Sequence, residues 1–407
     1  MTDNLLSMNK LTKHYSYVFR KIQLKKSNYL TFEKKTMIQR ELSNTIEKHI
    51  QNNKILILQA PTGIGSLAVI EQICNSKPDS VLFDLKQKKT KAQFKDFSKE
   101  EFIKLIGSNK IIVLNEAQLL ANLQQLIEFV LFESEDLTLI SICSYEPLLE
   151  DVLKDVLIQN DLFLNLQAPT FKELANHLGL VQFEKTLEER LIFGNYPEAV
   201  QNKENAQTFL NEICSEISSY SFGKNERVNK KDKFKKMLHY IAFNIGEQLS
   251  YNQIATKCAL DNETVERYIL MLEKAFILIK LPSYSTEKRY ELNKSHCFYF
   301  YDNGVRNAFV QNFNELDYRN DVNQLWKNWL VAEKMKKIAG KNCYFWLTHT
   351  KQKMDFIIDY GSEKRAFQML WEKDEKYKIP KLFAGYYPEI LTYKINRASY
   401  WSFLNKD

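Results

Sequence analysis

The chain has 407 residues, too many for one ordinary core and enough for two or three domains. Its 44% apolar and 26% charged residues are ordinary for a globular protein, and its 11 glycines, 8 prolines and 6 cysteines exclude collagen-like, low-complexity and disulfide-scaffold proteins. A net charge of +7, spread over so large a surface, is too weak to argue for nucleic acid by itself.

The first 50 residues are polar and lysine-rich, with helical spacing at Met37, Leu42, Ile46 and Ile50, and read as an N-terminal helical extension (1–50). They show no basic region followed by an apolar run and a cleavage site, which predicts a cytoplasmic protein without a signal peptide. No apolar stretch approaches the roughly 20 residues of a membrane span. From residue 54 an apolar strand (55–58) runs into a glycine-containing loop and an apolar helix. Further strands are expected at 80–85, 111–114 and 137–142, with helices at 100–105 and 119–132. Strands alternating with helices predict a parallel sheet covered on both faces, over residues 51–170.

From 171 the pattern is helical. Ser250 and Gln253 form a capping box, Asp261 caps the next helix, and strands are expected at 276–281 and 297–301. Helix, turn, helix and hairpin is a winged-helix pattern, and with the helices before it gives a second segment, 171–285. The last segment, 286–407, holds all five tryptophans. It reads as a helix at 322–337, strands at 343–347 and 354–360, a turn at Gly361 and a strand at 365–371, an α+β unit. The six cysteines form no CxxC pair and the six histidines no metal-ligand spacing, so free buried thiols and no metal site are expected.

The loop after the first strand stands where a phosphate loop would. That motif, G-x-x-x-x-G-K-[ST], wraps phosphates in backbone N–H groups, neutralises them with its lysine and holds Mg²⁺ with its hydroxyl. Here Ala60, Pro61, Thr62, Gly63, Ile64, Gly65, Ser66 and Leu67 occupy the positions. Gly65 is in register, but Ser66 replaces the lysine and Leu67 the hydroxyl. The partner motif is an apolar strand ending in Asp-Glu, where the Asp holds the metal. This chain has Asn115 and Glu116, so the metal-attracting charge is gone.

Taken together, the stretches APTGIGS, IIVLNEAQ, PTFKEL, RLIFGNYPEAV, IGEQLSYNQIA, TVERYILMLEKAFILIKLPSYS, FYFYDNGVRNAFVQNF, LWKNWLVAEK and YFWLTHTKQKMDFI resemble bacterial and archaeal AAA-type P-loop ATPases with a C-terminal domain similar to PD-(D/E)XK restriction endonucleases. The resemblance covers about Lys54 to Pro388. It implies a RecA-like core, a winged helix and a nuclease-like domain. It also implies GKT where Gly65-Ser66-Leu67 stands, LWEN where Leu325-Trp326-Lys327-Asn328 stands, FWRT where Phe345-Trp346-Leu347-Thr348 stands, and Glu-Ile-Asp where Lys353-Met354-Asp355 stands. Metal-dependent phosphodiester cleavage needs several carboxylates and a lysine. Asp355 is retained, Glu333 matches the helical acid, and Gln368 and Leu370 replace the second acid and the lysine.

One stretch, 222–240, concentrates charge: Lys224, Arg227, Lys230, Lys231, Lys233, Lys235 and Lys236 against Glu226 and Asp232. Such runs are commonly solvated helix faces, and this one also suits a phosphate backbone or an acidic protein. The helix from Asp261 to Lys274 is acidic, which opposes DNA docking there. The expectation is an ATPase-like protein with both active sites degenerate, acting as a scaffold or regulatory subunit on a protein partner, with no cofactor and with ATP and Mg²⁺ disfavoured. The alternatives are residual ATP binding or hydrolysis, and nucleic-acid binding through the basic stretch.

Overall fold

The computed structural model describes residues 37–75, 77–95, 98–220, 231–285, 295–338, 341–372 and 379–405. Helix α1 (Ser43–Asn52) leads into strand β1 (Ile55–Gln59), all five of whose residues are buried. Helix α2 (Ser66–Cys74), β2 (Ser80–Asp84), α3 (Lys88–Ala92), α4 (Lys99–Ile106), β3 (Ile111–Asn115), α5 (Leu123–Glu128), β4 (Thr138–Cys143), α6 (Asp151–Gln159) and β5 (Phe163–Asn165) follow. The strands form one parallel sheet in the order β2-β3-β4-β1-β5. With a glycine loop between β1 and α2, this is a P-loop ATPase-like fold. Its apolar strands pack against Leu126, Ile127, Val130 and Leu157 from the helices. The helix expected at 119–132 is broken, into a 3₁₀ turn (Ala117–Leu119), α5 and a π-helical turn (Phe129–Glu133).

The chain then turns helical: α7 (Phe171–Leu178), α8 (Leu180–Lys185), α9 (Leu187–Phe193), α10 (Pro197–Gln201), α11 (Ala206–Ser218) and α12 (Lys231–Phe243). Thr170 and Glu173 form a capping box that starts α7. Strand β6 (Gln248–Leu249), α13 (Tyr251–Cys258) and α14 (Asn262–Lys274) precede a hairpin of β7 (Leu278–Pro282) and β8 (His296–Phe300). Ser250 with Gln253 caps α13 and Asp261 caps α14, as the sequence predicts. Gln59, at the end of β1, donates to the Lys274 carbonyl, and Lys274 pairs with Glu146 at 2.7 Å, so α14 is docked on the parallel-sheet core.

After α15 (Asn303–Val310), helix α16 (Val322–Lys337) covers a mixed sheet of β9 (Asn342–Leu347), β10 (Lys353–Asp359), β11 (Lys364–Met369) and β12 (Leu391–Ile395). β9, β10 and β11 run antiparallel, and β12 returns parallel to β11 after α17 (Lys381–Tyr386). Helix α18 (Tyr400–Asn405) closes the segment against Trp326 and Trp329. All six cysteines are free and buried. Among the described residues no helix is long and apolar enough to cross a membrane.

Candidate functional site

The loop after β1 keeps a phosphate-loop backbone. Gly63 and Gly65 sit at φ +82° and +83°, a left-handed conformation that glycine adopts without strain, and Gly65 caps α2. Beside its glycines the loop meets apolar side chains. A Cβ on Gly63 would run into Ile213 of α11 and come within 3.1 Å of the Phe209 ring, and Pro197 approaches the Gly65 position at 3.8 Å. Ser66 and Leu67 are half-buried in the first turn of α2, and Thr62 and Ala60 are buried. Ile213 and Phe209 roof one side of Gly63, although Gly63 itself is exposed, and with no lysine in the motif the loop offers a polyphosphate little compensating charge.

The strand-end acid is equally engaged. Asn115 ends β3 and donates through Nδ2 to Asp84 Oδ1 at the end of β2, 3.1 Å away. Glu116 follows in left-handed conformation (φ 59°) and is 8% exposed. Its Oε1 accepts from the Ser144 hydroxyl at 2.9 Å and its Oε2 from Gln118 Nε2 at 2.7 Å. The Lys86 ammonium lies 3.4 Å from Glu116 Oε1 and 2.5 Å from Glu216 Oε1. Glu216 belongs to α11, the helix that carries Ile213, so Lys86 ties that helix to the strand-end acid. Burial pulls the Lys86 pKa down, but the hydrogen bond to Glu216 and the charge of Glu116 outweigh it and raise it. Burial, aided by Glu116, pushes nearby Tyr145 up to about 12. Both oxygens of Glu116 accept from the protein and one also meets Lys86, so the carboxylate is held and partly neutralised by its neighbours.

In the C-terminal sheet, Asp355 is fully buried. A β-bulge in β10 between Met354 and Ile357 interrupts the pairing with β9 around it. Asp355 Oδ1 accepts from Lys327 Nζ of α16 at 2.7 Å, and Oδ2 accepts from the Met369 backbone N–H at 2.9 Å. Lys353, on the same strand, donates to the Gly246 carbonyl. Burial lowers the Lys353 pKa, but Cys297, Asp355 and Glu247 lift it above the ordinary value. Positions 327 and 353, where the resemblance implies acids, therefore set two ammonium groups about the one carboxylate. Gln368 and Leu370 are buried, and the Gln368 side-chain oxygen has no hydrogen-bond partner among the described residues.

Glu333 does not join Asp355. It lies two turns further along α16 and faces the start of α7. Its oxygens accept from the Phe171 backbone N–H (2.6 Å), Asn195 Nδ2 (2.9 Å) and Lys336 (2.6 Å). It belongs to a buried polar hub where the most recognisable stretches of the sequence meet. Asp302 accepts from Asn195 N at 2.7 Å and Val305 N at 3.1 Å. Asn303 and Asn307 bind the Leu191 carbonyl, both at 3.1 Å, and Asn328 pairs with both backbone groups of Phe300. Gly194 (φ +70°) is required because a Cβ there would collide with the Asp302 carboxylate. These motifs hold three segments together.

Of the basic stretch, Lys231, Lys233, Lys235 and Lys236 are exposed on α12, and Lys233 donates to the Ala259 carbonyl at 2.7 Å. Lys224, Arg227 and Lys230 lie outside the described residues. Sequence reasoning missed Lys86, Glu216 and Ile213, because each reaches its site from a distant element.

Residues 184–316, about a third of the chain, match a family described as a domain of unknown function (DUF8612). No curated protein matches the chain. Among solved structures the chain is similar to a Walker-type ATPase of Pyrococcus abyssi, at 13% identity over 68% of this chain and 97% of that one, with a TM-score of 0.44. It is also similar to NtrX of Brucella abortus solved with ATP, at 14% identity over 67% and 76% of the two chains (TM-score 0.26). A third similarity is to a Bacteroides Pif1 solved with ADP-AlF4, at 11% identity over 49% and 56% (TM-score 0.24). Scores this low carry no function across.

Proposed function

We propose that the chain is a catalytically degenerate P-loop ATPase-like protein that acts by binding, as a scaffold or regulatory subunit of a larger assembly. The observation that carries this reading is common to both sites: a lysine of the chain itself occupies the acid that chemistry would use, Lys86 on Glu116 and Lys327 on Asp355. A lysine already paired with the carboxylate weakens its pull on a divalent cation at Asp355, and at Glu116, which stands where the motif orients water, it opposes proton abstraction. The helix, turn, helix and hairpin of 251–300 supports the winged-helix reading of the middle segment. The order helix, three antiparallel strands, helix, parallel strand over 322–395 supports a restriction-endonuclease-like origin for the last.

The test is turnover. Phosphate release from Mg-ATP and Mg²⁺- or Mn²⁺-dependent cleavage of single- and double-stranded DNA are expected at background. Either activity, abolished by Glu116→Gln or Asp355→Asn respectively, would refute the reading. A second reading, contact of the α12 lysines with a phosphate backbone, is favoured by the exposure of Lys231, Lys233, Lys235 and Lys236.

A further inference from the structure

We propose that the chain self-associates head to tail, the α6 face of one copy seating on the α12 face of the next. Helix α6 buries Leu153 and Leu157 and turns Val152 (78% exposed) and Val156 outward, with Leu148 (73% exposed) just before it. Beside these, Asp151 and Asp155 are exposed one turn apart and, with Glu150, make no ion pair among the described residues. The only lysine on the helix, Lys154, is held by Glu146. This face is apolar and negative on a chain whose net charge is +7.

Helix α12 offers the complement. It buries Phe234, Met237, Leu238 and Ile241. Lys236 and Phe243 (67% exposed) stand outward at i and i+7, with exposed Asp232 one turn before Lys236. Tyr240 is half-buried and His239 packs on Phe309, ring centroids 5.8 Å apart. The exposed charges of the helix are Lys231, Lys233, Lys235 and Lys236 against Asp232. An exposed aromatic beside lysines also suits stacked bases; the apolar, acidic α6 face is a partner within the chain that matches both Lys236 and Phe243. Because the two faces differ, the contact is heterologous: each copy keeps one free face of each kind, and assembly proceeds to a ring or a filament. Electrostatic matching of this kind sets orientation and is weakened by salt. The proposal does not depend on the loss of chemistry and fails independently of it.

Sedimentation velocity on the full chain tests it. Wild type is expected to form species larger than a monomer in low salt and to revert to monomer in high salt. One variant alters α6 (Val152→Lys with Asp155→Lys), another alters α12 (Lys236→Glu with Phe243→Glu). All four positions are exposed or on outward faces, and unchanged circular dichroism and Tm verify folding. Each variant alone is expected to be monomeric, and their mixture to give a one-to-one dimer and nothing larger, since one intact face of each kind remains. The proposal is overturned by a wild type that stays monomeric at low salt, by variants that assemble like wild type, or by a mixture that forms no dimer. It is also overturned if DNA binds the monomer, the α12 variant loses it and the α6 variant keeps it, which assigns α12 to nucleic acid.

Discussion

Lys327 and Asp355 form an ion pair 2.7 Å long in which the carboxylate is fully buried and the ammonium largely so. The resemblance implies an acid at 327, and an acid there would draw a cation towards Asp355. A lysine supplies that cation from within the chain, and Lys353 adds a second positive charge nearby. The pair cross-links α16 and β10.

Removing one partner exposes that role. Lys327→Met leaves Asp355 buried with the Met369 N–H and the charge of Lys353 but without its direct ion pair, at a cost of up to about 3 kcal/mol. Lys327→Met combined with Asp355→Leu recovers most of it, since a packed apolar pair substitutes well for a buried ion pair. Urea denaturation of the three proteins, compared at the midpoint, measures the difference.

Reversing the charges should recreate a cation site. Lys327→Glu with Lys353→Glu places two further acids with Asp355. Mn²⁺ is expected to stabilise this variant, by about 2.7 kcal/mol at a hundredfold excess over Kd, and to leave wild type unmoved. Thermal melts with and without Mn²⁺ make the comparison.

At the loop after β1, the roof matters as much as the missing lysine. Ser66→Lys alone is expected to leave ATP affinity weaker than about 1 mM, because Ile213 still fills the space beside Gly63. Ser66→Lys with Leu67→Thr, Asn115→Asp and Ile213→Ala should bring measurable binding by equilibrium dialysis with labelled ATP.

Gly194→Ala tests the hub. The methyl would collide with the Asp302 carboxylate and impose a left-handed conformation on alanine, so a loss of about 2 kcal/mol or more is expected. A Tm within error of wild type would show that the hub yields.

Acid sensitivity has a nameable source in His296. Burial, and then Lys280, depress its pKa to about 4, while its ring stacks on Tyr251 with centroids 4.8 Å apart. An unfolded histidine titrates near 6.5, so below that pH the unfolded chain binds a proton the folded chain does not. Stability from this group is full above about 6.5 and is lost as pH falls towards 4. His296→Phe keeps the stacking and should flatten the fall in Tm across that window; an unchanged slope would place the sensitivity elsewhere.

Much of the fold was legible because it follows short-range pattern. The strands β1 to β4 are apolar runs, the caps at Ser250 and Asp261 are local hydrogen bonds, and α16 spans the predicted residues. Strands β5 and β12 were not legible: each lies at a sheet edge, β5 is three residues long, and β12 exposes Leu391 and Tyr393, so neither carries a buried pattern. At the sites, Gly65, Glu116 and Asp355 announce themselves by motif, but the side chains that contact them do not. Lys86 and Glu216 meet Glu116 only through the sheet order and the course of α11. Where Glu333 points was not legible either: on α16 the residue that contacts Asp355 is Lys327, and Glu333 turns to α7.

Titration calorimetry of Mg-ATP into the full-length protein bears most directly on the claim that the chain's own side chains have taken over the sites of chemistry. The account predicts no saturable heat at protein concentrations that would detect a micromolar Kd. A saturable isotherm in the micromolar range would contradict it.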